Sequence, residues 1–595
     1  QGPLAARARR DLFGVILVGD GEDFIPVYTS IKRCMDCGHQ FTAERSTCPV
    51  CGRPRIRDSR STIEDLRRIA WEVDTVLVGT DPDTEGEKIG WDVGLLLKPY
   101  SRSMARLEFH EVTRRAITEA LEKLRSFDQQ LVDAQIVRRV EDRWIGFTLS
   151  PLLWCHFWSK YHCRILREEK AGGHGRFINN EINRCKEMKY YYNLSAGRVQ
   201  TPTLGWIVNR HEETKIKVNL YTIRINGYTL QFREDEVPEE YRRGMQELAK
   251  KATKTRPVYV RVTVKPEAQE WRKVPPQPPY TTDAMIADAS RYLRLGAPET
   301  MRLAQDLFEW GLITYHRTDS TRVSERGIQV AREWITDKLG SLASRVFKPR
   351  TWGEGGAHEA IRPVRPVDAE TLRNLIEEGS LEFAGEVTQR HIRLYDLIFR
   401  RFMASQMSEA TVLAEKFKIV IEDVGLEREV EAITRVGEPG DPASRGFAIV
   451  WPYLREQPRP PTGVDMEAEL YKTRISKVPP FTQGEIIRLM KERGIGRPST
   501  YAKIIDTLFK RRYVTKPQAT SDFVIPTIRG VNVYRYLTVY LPEYGPSDEE
   551  LASLVDPEYL RSVPRLVSEE RTRFLEEAMD MIERGEKTRI EVLAD

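Results

Sequence analysis

A short apolar run, Thr75 to Gly79, delivers Thr80-Asp81-Pro82-Asp83-Thr84-Glu85-Gly86-Glu87 at its carboxyl end, and a helical pattern (Ile89, Trp91, Val93) follows at once. A buried strand that feeds a helix through so short a turn belongs in an open α/β sheet. In such sheets ligands collect at the carboxyl ends of the strands. Acids at i, i+2 and i+4 on that turn can converge on one hard cation. Mg²⁺ takes this kind of site: carboxylate oxygens, retained waters and a phosphate close by. Asp81, Asp83 and Glu85 are therefore the candidate Mg²⁺ ligands. A helix N-terminus also attracts acids through its dipole, so the run by itself leaves a purely structural reading open.

Around this turn the chain is long, at 595 residues. That exceeds one hydrophobic core, and roughly three to five domains are expected. Charged residues make up 30% and hydrophobic residues 40%, which suits a soluble globular protein and is compatible with a thermophile. No apolar run approaches the ~20 residues that span a bilayer, and no secretory signal opens the sequence. The formal net charge is only +5, so a surface for nucleic acid must be a local basic patch. Basic clusters occur at Arg7 to Arg10, at Arg138-Arg139 and at Lys510-Arg511-Arg512. No G-x-x-x-x-G-K-[ST] stretch is present, so the sequence makes no case for an ATP site.

Short strands are expected from Val15 to Tyr28, around a Gly19-Asp20-Gly21 turn. Cys34-Met-Asp-Cys37 and Cys48-Pro-Val-Cys51 come next. Two CxxC knuckles at this separation place four thiolates round one tetrahedral Zn²⁺. Basic and aromatic neighbours suit a ribbon that touches nucleic acid, and a structural zinc knob competes. The seven cysteines do not suggest a disulfide scaffold. Further on, Arg138, Arg139, Asp142 and Arg143 lie on one Arg-rich helix, which alone reads as a salt-bridged solvent face. Residues 155–193 look like an irregular insertion, with a Gly172-Gly173-His174-Gly175 run and an aromatic tail, Tyr190-Tyr191-Tyr192. Cys155, His156, His162, Cys163 and Cys185 within it make a second metal site conceivable, though their spacing matches no template. Ser195, Arg198 and Gln200 then open a helix whose polar start suits phosphate contact.

Strand-like alternation over 218–270 returns over 411–452, so the two segments are expected to share one β domain. Between them, after the Pro-rich Val274 to Pro279, lies a helical region carrying Phe308-Glu-Trp-Gly311-Leu-Ile-Thr-Tyr315-His316-Arg317-Thr-Asp319-Ser. A phenol, with an unperturbed pKa of about 10, is a weak nucleophile at neutral pH. A guanidinium beside it stabilises the phenolate and grips phosphate with a planar fork. Attack of Tyr315 on a phosphodiester is the matching chemistry. A half-buried tyrosine bonded to a neighbour is the plain alternative. Gly356-Ala-His358-Glu359-Ala-Ile-Arg362-Pro363 adds a histidine that could touch phosphate or relay a proton. Gly496-Arg497-Pro-Ser499-Thr500-Tyr501 presents another phosphate-contact start to a helix.

Taken in order, the Asp81 to Glu87 turn, Leu-Ser195-Ala-Gly-Arg198-Val-Gln200, Gly-Leu-Ile-Thr-Tyr315-His-Arg317, Ala-His358-Glu-Ala-Ile-Arg-Pro and Gly-Ile-Gly-Arg497-Pro-Ser-Thr-Tyr resemble the type IA DNA topoisomerases. The resemblance spans about residue 11 to 545. The cysteine pairs inserted ahead of the acids resemble the topoisomerase module of reverse gyrases. The resemblance implies a multidomain fold of α/β, α and β domains, arranged as a toroidal clamp. A Toprim domain (11–31 and 59–127) would be interrupted by the zinc ribbon (32–58). A helical DNA-guiding domain would take 128–211 and 481–595, a β arch 212–275 and 406–480, and a helical lid 276–405. It makes Tyr315 the nucleophile of a 5′-phosphotyrosyl link and Arg317 its charge stabiliser. Arg138, Arg139, Asp142, Ser195, Arg198, Gln200, His358, Arg497, Ser499 and Thr500 become DNA contacts, with Mg²⁺ and Zn²⁺ as metals.

The family's pattern begins with a strand bearing a catalytic Glu and a nearby Lys, and neither lies in this sequence. A cropped chain, or one part of a split enzyme, is therefore expected. Its implied partners are unwound or negatively supercoiled DNA and a helicase-like ATPase module that also supplies that strand, in the cytoplasm on the chromosome. A plain relaxing topoisomerase, a catalytically incomplete DNA-binding subunit and a Toprim nuclease or primase are the alternatives.

Overall fold

The computed structural model describes residues 11–18, 23–169, 176–354, 358–519 and 521–594. The basic stretch at Arg7 to Arg10, the Gly19-Asp20-Gly21 turn, the Gly172-Gly173-His174-Gly175 run and Gly356 lie outside them. The chain divides into two units. One runs to Gly205 and takes in Leu489–Val514 and Thr527–Asp595; the other comprises Trp206–Arg488 and Thr515–Pro526.

The first unit opens with an antiparallel meander of β1 (Asp11–Leu12), β2 (Val15–Val18) and β3 (Asp23–Pro26). A second small antiparallel sheet, of β4 (Lys32–Cys34), β5 (Gln40–Phe41) and β6 (Ile56–Asp58), carries the cysteine knuckles. β7 (Thr75–Val78) and β8 (Ser103–Arg106) then pair in parallel, joined by the helix Thr84–Leu97 as crossover. This is the βαβ arrangement that an apolar strand feeding an amphipathic helix requires.

The helix Gln129–Leu152 organises the rest of the unit. Asp128 caps it, accepting from the amides of Gln130 (2.9 Å) and Leu131 (3.3 Å). Its apolar face (Val132, Ile136, Val137, Val140) buries against Val15 and Phe24 and against Met579, Ile582 and Leu593 from the last helices. Full burial of each such side chain stabilises by about 1.5–3 kcal/mol.

The described residues of 155–193 correct the expectation of an irregular insertion, and among them no second metal site forms. After Pro151, which brings no amide donor, the chain continues as a wide π-type coil over Leu153–His162. Two helices follow, Cys163–Glu169 and Arg176–Glu187, and a disulfide joins Cys163 to Cys185. The supposed ligands are engaged elsewhere. His156 bonds the Tyr536 hydroxyl (2.9 Å) and the Asp548 carboxylate (3.0 Å), and His162 bonds the Asn532 amide (3.0 Å). Burial in this aromatic packing lowers the His156 pKa, against the pull of Asp548.

In the second unit β9 (Lys217–Ile225), β10 (Tyr228–Arg233), β11 (Val258–Val274), β12 (Ala410–Ile421), β13 (Leu426–Val436) and β14 (Gly463–Ser476) form one antiparallel sheet, in the order β10-β9-β14-β11-β12-β13. Tyr221, Ile223, Val262, Phe417, Ile419 and Leu470 fill its core. Strand structure stops at Val436, short of the expected 452, and Pro442–Ile449 is 3₁₀. Gly437, Gly440 and Gly446, all at positive φ, turn the chain away from the sheet. Helices from Thr282 to Ser405 make up the intervening segment, around Leu303, Leu307, Leu394, Ile398 and Phe402.

Candidate active site

The acidic turn leaves β7 at Val78 and enters the helix at Thr84. Asp83 is the helix cap: its carboxylate accepts from the Gly86 amide at 2.6 Å. Thr80 closes the other side, donating to the Gly86 carbonyl at 2.6 Å. A Cβ on residue 86 would lie 2.0 Å from the Asp81 carbonyl oxygen, so only glycine fits. Asp81, Asp83 and Glu85 all reach partial exposure on this turn. Among the described residues, however, the trio does not gather its carboxylate oxygens within 4.8 Å, as the four cysteines do their sulfurs. Asp83 is turned back onto its own helix instead. Mg²⁺ needs only one or two carboxylates beside water and phosphate, so the donor set still fits that ion.

Beneath the turn lies a network that sequence reasoning missed. Glu87, 1% exposed, takes the Arg106 Nε at 2.9 Å, two Arg125 nitrogens at 2.8 and 2.9 Å, and the Asp128 amide at 2.7 Å. Arg106, wholly buried, donates onward to the carbonyls of Val78 (3.0 Å) and Asp81 (2.8 Å). Burial alone would raise the Glu87 pKa; the two guanidiniums and the amide outweigh it and hold the carboxylate ionised. Nearby Glu108 is drawn down to about 2 by hydrogen bonding from His110 and Arg125.

The basic motifs of the first unit meet on one anion. Glu576, 1% exposed, is approached by Arg138 (2.8 Å), Arg198 (2.9 Å) and Arg497 (3.3 Å). Arg198 also pairs with Asp142 (2.7 Å), and Arg497 with Asp580 (2.6 Å). Ser195 and Gln200 bond each other through Oγ and Oε1 at 3.2 Å. Thr500 Oγ1 accepts from the Arg497 amide at 2.9 Å. Ser499 lies one residue before Thr500, half-buried. Arg139, which leaves this cluster, is exposed and sits 5.9 Å over the Tyr28 ring.

In the second unit the helix Ala297–Glu309 ends as expected at Gly311 (φ 68°). Its amide and that of Leu312 bond the carbonyls of Phe308 (2.9 Å) and Leu307 (3.0 Å). The loop that follows is clamped to the His358 motif. Thr314 donates its amide to the Arg362 carbonyl (2.9 Å) and its hydroxyl to the Ala360 carbonyl (2.8 Å). Arg322 Nε donates to the His358 carbonyl (3.3 Å), and the Thr282 hydroxyl donates to the His316 carbonyl (2.8 Å). Tyr315, 2% exposed, sets its ring edge-on to Phe308 (5.2 Å) and His316 (5.5 Å). Burial and the Arg317 charge push the His316 pKa down to about 3, so this imidazole is neutral at physiological pH. Sequence reasoning brought the Tyr315–Arg317 pair and His358 forward in separate motifs; the fold unites their two loops.

The cysteines form two matching knuckles. The amides of Gly38 and Gly52 bond back to Cys34 and Cys48, and those two cysteines bond the carbonyls of His39 and Arg53. Sγ atoms lie 3.5 Å apart for Cys34–Cys51 and 3.6 Å for Cys37–Cys48, and all four within 4.8 Å. Zn–S bonds of ~2.3 Å in a tetrahedron put sulfurs about 3.8 Å apart, so the set fits zinc. Burial resists ionisation of Cys48, but the amides of Cys51 and Val50 bring its pKa down to about 7. The chain is expected to release about one zinc per molecule to a chromogenic chelator after mercurial treatment, and a Cys34→Ser/Cys48→Ser variant almost none. A metal-free native chain would rule the zinc site out.

A sequence profile described as DNA topoisomerase matches residues 126–594, and one described as Toprim domain matches residues 28–112. The chain belongs to the DNA topoisomerase family. Reverse gyrase 1 of Aeropyrum pernix is 54% identical over 98% of this chain and 43% of its own length. The reverse gyrase of Pyrococcus furiosus is 44% identical over 98% and 41%. The chain therefore spans less than half the length of these curated relatives. Among solved structures, full-length topoisomerase I from Thermotoga maritima superposes with a TM-score of 0.63, at 24% identity, over 100% of this chain and 87% of that one. The fold is thus that of a type IA topoisomerase. Among the described residues, no helix of this topoisomerase is long and apolar enough to cross a membrane.

Proposed function

We propose that this topoisomerase is the strand-cleaving part of a reverse gyrase, which introduces positive supercoils together with a helicase-like ATPase module. What supports the narrower reading is similarity to reverse gyrases along almost the whole chain. Tyr315 is the proposed nucleophile. Its oxygen bonds to phosphorus at a 5′ phosphate, the P–O3′ bond breaks, and the 3′-hydroxyl departs carrying a proton. Arg317 stabilises the phosphoryl charge, and His358, carried by the loop clamped to Tyr315's, holds the strand. A Mg²⁺ held by Asp81, Asp83 and Glu85 would neutralise phosphate charge when bound. Ser195, Arg198, Gln200, Arg138, Arg139, Asp142, Arg497, Ser499 and Thr500 guide single-stranded DNA. Because the phosphotyrosyl link retains the energy of the phosphodiester, the 3′-hydroxyl reseals the strand by the reverse step. The six-stranded β arch and the helices over 276–405 serve as hinge and lid. Its setting is the chromosome in the cytoplasm.

The test mixes the chain with a helicase-like ATPase module, ATP, Mg²⁺ and negatively supercoiled plasmid at high temperature. Positively supercoiled topoisomers are expected on two-dimensional gels. Relaxation that stops at the relaxed state with or without ATP would assign a plain relaxing topoisomerase instead.

A further inference from the structure

The tyrosine run that closes the 155–193 region is unused by the site described so far. Its three side chains alternate, as an extended segment dictates. Tyr191 turns inward, stacked on Trp158 at 4.5 Å with the Arg529 guanidinium 4.8 Å from its ring. Tyr190 and Tyr192 turn outward, 43% and 67% exposed, with their rings within 23° of parallel. Trp154 props Tyr192 edge-on at 5.5 Å and is itself fixed by donating to the Leu194 carbonyl (2.7 Å). Two large aromatic rings thus stand exposed side by side.

One cation borders the Tyr190 ring, and a second stands on a neighbouring helix end. Lys189 lies 5.5 Å from the Tyr190 ring. The segment runs beside the end of the helix Tyr501–Lys510: Asn193 bonds the Lys510 carbonyl (3.3 Å) and the Arg511 guanidinium (2.6 Å), and the Ser195 amide bonds the Tyr513 hydroxyl (2.9 Å). Arg512 stands at that helix end, exposed, and among the described residues neither it nor Lys189 has an acidic partner. Its backbone is telling. The amides of Arg512 and Tyr513 bond Phe509 and Leu508, the same finish that places glycine at Gly311, Gly379, Gly494 and Gly585. Arg512 takes this left-handed position at φ 58°, a conformation unfavourable for a side-chain-bearing residue. Strain of this kind is kept where the side chain is needed.

We infer that Tyr190 and Tyr192, with Lys189 and Arg512, form a stacking platform for single-stranded DNA, continuous along the chain with the phosphate-contact stretch that begins at Ser195. The inference rests on the strand-guiding reading above and extends its track. Exposed aromatics give every base a face to stack on, and the cations follow the backbone. Duplex DNA, with its bases already stacked, offers the rings nothing, so the platform selects unwound strands.

The test measures affinity of the full chain for a labelled oligo(dT) of roughly 16 nucleotides and for a duplex of equal length. Tyr190→Ser/Tyr192→Ser should weaken the single strand by at least about tenfold and the duplex by less than about twofold. Arg512→Gly should weaken the single strand by about threefold while leaving the melting temperature unchanged or higher, because glycine relieves the strain. In the native chain, 5-bromodeoxyuridine should photo-cross-link to Tyr190 or Tyr192. Unchanged single-strand affinity in the double variant, or parallel losses for single strand and duplex, would overturn the platform. Covalent trapping through Tyr315 at saturating oligonucleotide should persist in the double variant, which separates a failed platform from a failed transesterase.

Discussion

Tyr315→Phe should eliminate the covalent protein–DNA complex, with strand cleavage falling by at least about a thousandfold, because no other group takes over a lost nucleophile. The substitution removes one oxygen and nothing else. The ring keeps its edge-on contacts with Phe308 and His316, and Thr314 keeps the loop on Ala360 and Arg362. Affinity for single-stranded DNA should therefore stay within about twofold. Denaturing gels with end-labelled oligonucleotide read the adduct, and fluorescence anisotropy reads the binding. An adduct that survives in the variant would assign the chemistry to another protein nucleophile, and unchanged strand cleavage without an adduct would favour a Toprim nuclease, which needs no tyrosine.

Glu87→Ala should be the most damaging change in the acidic motif for the fold itself. Removing this carboxylate leaves Arg106, fully buried, without a counter-ion, and strips Arg125 and the Asp128 amide of an acceptor. Breaking a buried pair by deleting one partner costs about 3–5 kcal/mol. The loss reaches the proposed metal ligands, since Arg106 also holds the Asp81 carbonyl. Thermal melting should show an earlier transition, and cleavage should demand more Mg²⁺. Glu85→Gln, two residues away, takes no part in that network. It should leave the melting curve nearly unchanged and reduce Mg²⁺-dependent cleavage. Equal melting curves for the two variants would refute this division of labour.

The contrast between Glu85 and Glu87 also marks what a sequence can disclose. Local structure that depends on residue type at short spacing was legible: the strand-to-helix turn at the acids, the paired cysteine knuckles, the glycine that ends the helix before Tyr315. Partners brought from afar were not. Arg106 and Arg125 gave no sign that they serve Glu87, and Glu576 lies 438 residues from Arg138. Nothing in the sequence of the helix Glu569–Glu583 marks Glu576 as the residue around which three arginines gather. The disulfide escaped notice for another reason. Cys163 and Cys185 stand amid histidines, so the same side chains suggested a metal, and only the path of the two helices brings the sulfurs together. The early end of the strand at Val436 followed from left-handed glycines, whose conformations the alternating pattern before them does not announce.

Glu576 bears on turnover. An enzyme that lets one strand pass another must also release both. Arginines left bare for DNA would hold a polyanion tenaciously at low salt. Here Arg138, Arg198 and Arg497 each have a carboxylate to return to. If these arginines contact DNA as proposed, an arriving phosphate would exchange one anion for another, and a departing strand would leave no stranded charge behind. On that reading the internal carboxylate would act as a stand-in for the DNA backbone, and grip and release would differ by a small free energy.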